Sequence, residues 1–116
     1  MKYASILLMD IYEKRNENEV ELKLVGRLDA VNSVLLQMDV EKWLSYAAVQ
    51  KLVLDFSGLE YISSAAIRVL LKAQKEIKPG HELVIKNPSE FCSQVFDITG
   101  ADIFLTIVDD NKKSDD

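Results

Sequence analysis

The chain has 116 residues, 48% of them hydrophobic, enough apolar side chains for one core and one domain. Fourteen basic residues against 19 acidic leave a net charge of −5 with no basic stripe to neutralise a phosphate backbone, so nucleic acid is not an expected partner. Apolar runs such as Leu52 to Leu54 fall far short of the roughly 18 to 20 residues of a membrane span, and no membrane partner is expected either.

Met1 to Met9 carries one Lys and a brief apolar run but no small-residue cleavage site, so it does not read as a signal peptide. Leu7 to Lys14 then mixes apolar and polar residues, and a turn-rich Arg15-Asn16-Glu17-Asn18 separates it from Val20 to Val25, which alternates strictly. The two segments predict an opening β-hairpin with Val20, Leu22 and Leu24 inward and Glu21 and Lys23 toward water. Gly26-Arg27-Leu28-Asp29 is expected to leave the sheet. Asn32 or Ser33 is placed to cap a helix in which Leu36, Val40, Trp43, Leu44 and Ala47 share one face, making Trp43 a core residue.

Lys51 to Phe56 is compact and apolar without alternation, the pattern of a central strand covered on both faces. Ser57 to Ile62 reads as a connection, and Ser63 or Ser64 opens a second helix buried through Ala66, Ile67, Leu70, Leu71 and Ile77 and stopped by Pro79-Gly80. His81 to Lys86 reads as a strand. Asn87-Pro88-Ser89-Glu90 combines a cap, a proline at the first helical position and a capping-box glutamate, ahead of a helix with Phe91, Val95 and Ile98 on its apolar side and Gly100 at its end. Ile103 to Val108 is a last strand or extended segment. The expected fold is therefore α/β, a mixed sheet with an opening hairpin, central buried strands and helices packed against it, over residues 1–108. Residues 109–116 form a polar tail that is predicted to be disordered.

Catalytic chemistry needs converging groups, and the sequence holds one His, one Cys and no HExxH, CxxC, GxGxxG or GxxxxGK[ST] pattern. No enzyme, cofactor or metal site is expected. His81, between Pro79-Gly80 and a strand, reads as a turn residue. Cys92 falls in the first turn of a helix, whose dipole lowers a thiol pKa, but without a neighbouring basic group it reads as a packing cysteine. A lone cysteine excludes an intramolecular disulfide and fits a cytoplasmic setting. Asp55, at the end of an apolar strand, sits where response-regulator receivers carry their phosphoacceptor. The acidic pair that holds magnesium there has no counterpart after the first strand, and Asp109 and Asp110 stand at the wrong end. Asp55 is better read as accepting hydrogen bonds from Ser57 and Gly58.

Buried strand, connection, two serines and amphipathic helix follow one another from Leu52 to Leu71. A serine at a helix N-terminus is open to a kinase, and its phosphate lies in the favourable field of free backbone N–H groups. About −1.5 to −2 of added charge on a surface already negative repels a partner without unfolding the domain. Spacing alone is better met by serines that merely cap the helix.

These residues resemble the STAS domain family, the fold of bacterial anti-sigma factor antagonists. Gly26-Arg27-Leu28-Asp29 resembles its Gly-x-Leu-Asp loop, Leu54 to Leu59 the strand and turn before its phosphorylation site, and Phe91 to Gly100 its third helix. The family's Asp-Ser-Ser-Gly pattern falls on Ser63-Ser64-Ala65-Ala66, which implies Ser64 as phosphoacceptor with Ser63, in the place of the Asp, as the alternative. Ala66 stands in the place of the Gly. Asp29 matches the loop aspartate that lies near the acceptor in the family; without the resemblance it reads as a helix cap. The resemblance implies a contact surface of Gly26, Arg27, Asp29, Ser57, Gly58, Ser63, Arg68 and Lys72. Its partners would be an anti-sigma factor that is itself a serine kinase, bound in the unphosphorylated state, and a metal-dependent serine phosphatase. A second reading keeps the fold as a constitutive STAS scaffold or ligand-binding module.

Overall fold

A computed structural model describes residues 9–110 of the chain. The start of the first expected strand, at Leu7 and Leu8, and residues 111–116 of the expected tail lie outside the described residues. Strand β1 (Met9–Asn16) pairs antiparallel with β2 (Glu19–Leu28), and the reversal takes only Glu17 and Asn18, with Glu17 at φ 55°. The expected turn is thus shorter at its front, since Arg15 and Asn16 still pair with Val20 and Glu19. Val20, Leu22, Leu24 and Leu28 of β2 are buried on one face, as alternation requires. Gly26, Arg27 and Leu28 do not leave the sheet as expected. They extend β2 and pair with Leu59, Tyr61 and Ile62.

Helix α1 (Ala30–Ser45) buries Leu36, Val40 and Trp43; Ala47 lies beyond its end and is exposed. Strand β3 (Lys51–Ile62) runs through the segment read as a connection. Two register shifts against β2 give β3 one extra residue between Asp55 and Gly58 and another between Leu59 and Tyr61. Core positions on β3 accordingly fall at Leu52, Leu54 and Phe56, then at Leu59 and Ile62. A bulge costs no core contact, because the strand bends and the apolar face returns one residue later. Helix α2 (Ser64–Lys75) ends four residues before Pro79, with Glu76 as its C-cap, so the proline does not stop it. Strand β4 (Glu82–Lys86), helix α3 (Glu90–Thr99), a 3₁₀ turn (Ala101–Ile103) and the two-residue β5 (Ile107–Val108) complete the order. Ile103 to Val108 is therefore extended only at its end. Gly100, at φ 78°, closes α3 as expected.

The cap of α3 is Ser89, whose Oγ accepts from Cys92 N at 3.3 Å; Asn87, at φ 51°, is outside the helix. Cys92 and Phe96 face the core, while Phe91 is 40% and Ile98 82% exposed. The expected Phe91/Ile98 stripe is an outer face.

The sheet order is β1-β2-β3-β4-β5, parallel from β2 onward. Crossovers of one hand across a monotonic order place every helix on the same face, and one apolar cluster joins all three helices to the sheet. Among the described residues no helix packs on the opposite face, yet β3 is covered on both sides as expected, with Leu52 to Phe56 buried without interruption. On that face Val53 and Val84 are buried. Lys86 on β4 reaches across β3 to Glu21 on β2 (Nζ–Oε1 3.2 Å), and this strap with its aliphatic stem shields them. Glu21 holds the Lys86 ammonium above its usual pKa, with Asp55 and Asp110 adding to the effect.

Candidate functional site

Two parallel strands that end together must launch their helices together. Leu28 and Ile62 are paired at the ends of β2 and β3, and Ser63 N donates to Leu28 O at 2.9 Å. The caps of α1 and α2, Asp29 and Ser63, therefore stand side by side at the C-terminal edge of the sheet. Asp29, not Asn32 or Ser33, caps α1: its Oδ1 accepts from Asn32 N at 2.9 Å. Asn32 and Ser33 are buried within the first turn, where Asn32 Nδ2 donates to Arg27 O at 2.9 Å and Ser33 Oγ to Ala30 O at 2.6 Å. These bonds tie the Gly26–Asp29 segment to the helix that follows it.

The two serines differ sharply. Ser63 is 8% exposed, and its Oγ accepts from Ala66 N at 3.2 Å, satisfying one of the helix's free N–H groups. Ser64 is the first helical residue and is exposed. Ser63 alone carries the capping role that spacing left open between them.

Beside this edge the second bulge of β3 brings Tyr61 opposite Arg27, whose guanidinium lies 4.4 Å from the ring centroid. Tyr61 in turn packs on Phe91 of α3, with centroids 5.6 Å apart. Neither aromatic was legible as a site residue. Tyr61 faces Arg27 because of the bulge, and Phe91 is outward because Cys92 and Phe96 take the inner face of α3. Arg68 and Lys72 are exposed on α2 and line a groove of about 280 Å³ against α1, with Gln37 and Glu41 on the other wall. The outer face of α1 is also apolar: Val31, Val34, Leu35 and Met38, at helical spacing, are each 39% exposed or more.

Arg27, Asp29 and Ser63 thus meet at one edge with Ser64, and Arg68 and Lys72 extend the surface along α2. Ser57 and Gly58 are set back from the serine pair along β3. Gly58 fills the first bulge where nothing larger fits, since a Cβ there would lie 2.9 Å from Val25 Cγ2 and 3.1 Å from Leu24 O. Asp55 is 8% exposed and accepts from Ser57 N at 2.9 Å, the structural part expected of it, within a bulge and not a turn. His81 is half-buried against Val49 O, with Nδ1 at 2.9 Å. Cys92 is buried, and burial raises its thiol pKa against the weaker lowering effect of Ser89. Among the described residues no three His, Cys, Asp or Glu side chains are grouped to hold a metal ion, and no helix is long and apolar enough to cross a membrane.

A mixed sheet with three helices on one face, and two helix caps joined at the end of its central parallel pair, defines a class. The chain belongs to the STAS domain family, which it matches over residues 10–113. It is 27% identical over 103 residues to the anti-sigma-B factor antagonist of Bacillus subtilis (strain 168), covering 88% of this chain and 90% of that protein. An anti-sigma factor antagonist from Mycobacterium paratuberculosis superposes with a TM-score of 0.77 at 14% identity, over 86% of this chain and 85% of the other. The Bacillus cell fate determinant SpoIIAA in its phosphorylated form superposes with a TM-score of 0.66 at 18% identity, over 84% and 90%. At these identities the solved structures establish a shared fold, which is the STAS-type sheet the sequence leads one to expect.

Proposed function

We propose that this protein is an anti-sigma factor antagonist switched by phosphorylation of Ser64. Unphosphorylated, it binds an anti-sigma factor that is also a serine kinase, and so frees a sigma factor. The observation that carries the reading is the contrast between the serines: Ser63 is buried with its Oγ committed to Ala66 N, whereas Ser64 stands exposed one residue on. Relatives described as anti-sigma factor antagonists, one of them solved in a phosphorylated form, support it.

The kinase brings ATP and magnesium, and transfer leaves a phosphate on Ser64 Oγ with ADP and the hydroxyl proton released. This chain is not an enzyme in the reading and needs no cofactor. It supplies the acceptor and a docking surface of Gly26, Arg27, Asp29, Ser57, Gly58, Ser63, Arg68 and Lys72, to which Tyr61 and Phe91 are added. Phosphate at the head of α2 adds about −1.5 to −2 charge beside Asp29 and repels the partner while the helix accommodates it. A metal-dependent serine phosphatase resets the switch in the cytoplasm.

The test is peptide-mapped phosphorylation with ATP and candidate anti-sigma kinases of the same organism. Loss of phosphate in Ser64→Ala and retention in Ser63→Ala supports the reading, and Asp29→Ala should slow the transfer. Phosphate lost only in Ser63→Ala moves the acceptor by one residue. A partner complex indifferent to ATP and to Ser64→Ala favours the constitutive STAS binding module, for which the replacement of the family's Asp and Gly by Ser63 and Ala66 speaks.

A further inference from the structure

Ser64 is followed one helical turn later by Arg68 and two turns later by Lys72, and all three are exposed on α2. Side chains four apart on a helix are neighbours, with Cβ atoms about 5–6 Å apart, within reach of a long guanidinium and a phosphate. Among the described residues Arg68 takes part in no ion pair; the ion pair found there joins Lys86 to Glu21 on the far face of the sheet. Its guanidinium lies on the α1–α2 groove with Glu41 and Glu76, and none of these carboxylates holds it within ion-pair distance.

We infer that Arg68 is the intramolecular partner of the phosphate on Ser64, so that modification withdraws from the docking face the guanidinium that would otherwise meet an acidic side chain of the partner. The inference rests on the assignment of Ser64 as the acceptor. A phosphate is a better partner for Arg68 than any single carboxylate, because it carries nearly twice the charge and accepts two parallel N–H bonds from the guanidinium fork. Ser63 does not serve in the same way: it is buried, its oxygen holds Ala66 N, and it is out of step with Arg68 by one residue. Phosphorylation then acts twice, adding negative charge at the head of α2 and cancelling positive charge one turn along. A phosphomimetic carboxylate at 64 is shorter and less charged, and it captures Arg68 less well.

The experiment installs phosphoserine at position 64 during translation, so that no kinase is needed, and follows the second ionisation of the phosphate by phosphorus NMR. Arg68, Arg68→Lys, Arg68→Ala and Lys72→Ala backgrounds are compared. Arg27, Asp29, Glu41 and Glu76 are common to all four, so the comparison isolates the substituted side chain. With Arg68 present the phosphate should titrate about half a unit lower than in Arg68→Ala, a threefold change in acidity that shrinks with added salt, with Arg68→Lys between them. Lys72→Ala should follow the parent. Identical titrations with and without Arg68 overturn the inference, as does a shift carried by Lys72 instead. Failure of every kinase to modify Ser64 would defeat the proposed function and leave this titration untouched.

Discussion

The two halves of β3 are built on different terms. From Lys51 to Asp55 the strand keeps step with β2, and Leu52 and Leu54 enter the core at every second position, with Phe56 next at the entry to the first bulge. From Ser57 to Ile62 it carries two more residues than its partner, and its core positions come at every third. The regular half is a wall for packing, whereas the bulged half gives up strict pairing to aim residues: Tyr61 under Arg27, and Ser63 against Leu28 at the strand ends. Damage to the first half should fall on stability, and damage to the second on the edge where the serines sit.

The largest effect is expected where the regular half meets the first bulge. Phe56 is fully buried and stacks on Phe96, with centroids 6.4 Å apart, so Phe56→Ala should lower unfolding free energy by about 3–5 kcal/mol in denaturant titration. A much smaller loss would mean that the wall tolerates a hole. Next comes Gly58→Ala, whose new methyl meets Val25 and the Leu24 carbonyl; it should cost about 1–3 kcal/mol. Adding Val25→Ala should recover part of that cost, because it removes the 2.9 Å contact and leaves the backbone one. No recovery would place the strain in the bulge itself.

At the end of the bulged half, Ser63→Ala should cost about 1 kcal/mol as a lost cap, while Ser64→Ala should stay within about 0.5 kcal/mol of the parent in thermal unfolding. The reverse ranking would exchange the two serines' roles. Smallest is the strap over the regular half: Glu21→Gln should cost under about 1 kcal/mol, since the Lys86 side chain is 29% exposed. Because the folded state raises the Lys86 pKa, this stabilisation is complete below the unfolded value of about 10.4 and fades as pH rises through the folded one. A variant as pH-dependent as the parent between pH 9 and 11 would remove Glu21 from that account.

The regular half of β3 and the strict alternation of β2 could be read in the sequence because hydrophobic period reports burial directly. The bulged half could not, since Ser57-Gly58 has the composition of a turn and nothing in residue type distinguishes an extra strand residue from the start of a loop. The run of consecutive apolar residues rightly announced two covered faces on β3; among the described residues the Glu21–Lys86 strap lies over the second, which residue type did not reveal. Caps were ambiguous over two to four residues, with Asn32 or Ser33 competing with Asp29 and Asn87 taken for Ser89, because several capping residues stood close together. Phe91 and Ile98 were read as inward from their apolar character alone, whereas Cys92 and Phe96 take the inner face. Of the candidate site, the serine pair and Asp29 were legible through the family resemblance. Tyr61 and Phe91 were not, since their meeting depends on a bulge and on a helix register.

The order of strands in space is their order along the chain. No strand has to be threaded between two that are already paired; each β-strand and helix unit adds to the edge left by the one before it. The domain can be laid down in the direction of synthesis, from the β1–β2 hairpin outward, with mostly short sequence separations to close at each step. The two strands whose ends carry Asp29 and Ser63 are thus neighbours along the chain as well as in the sheet, with one helix between them.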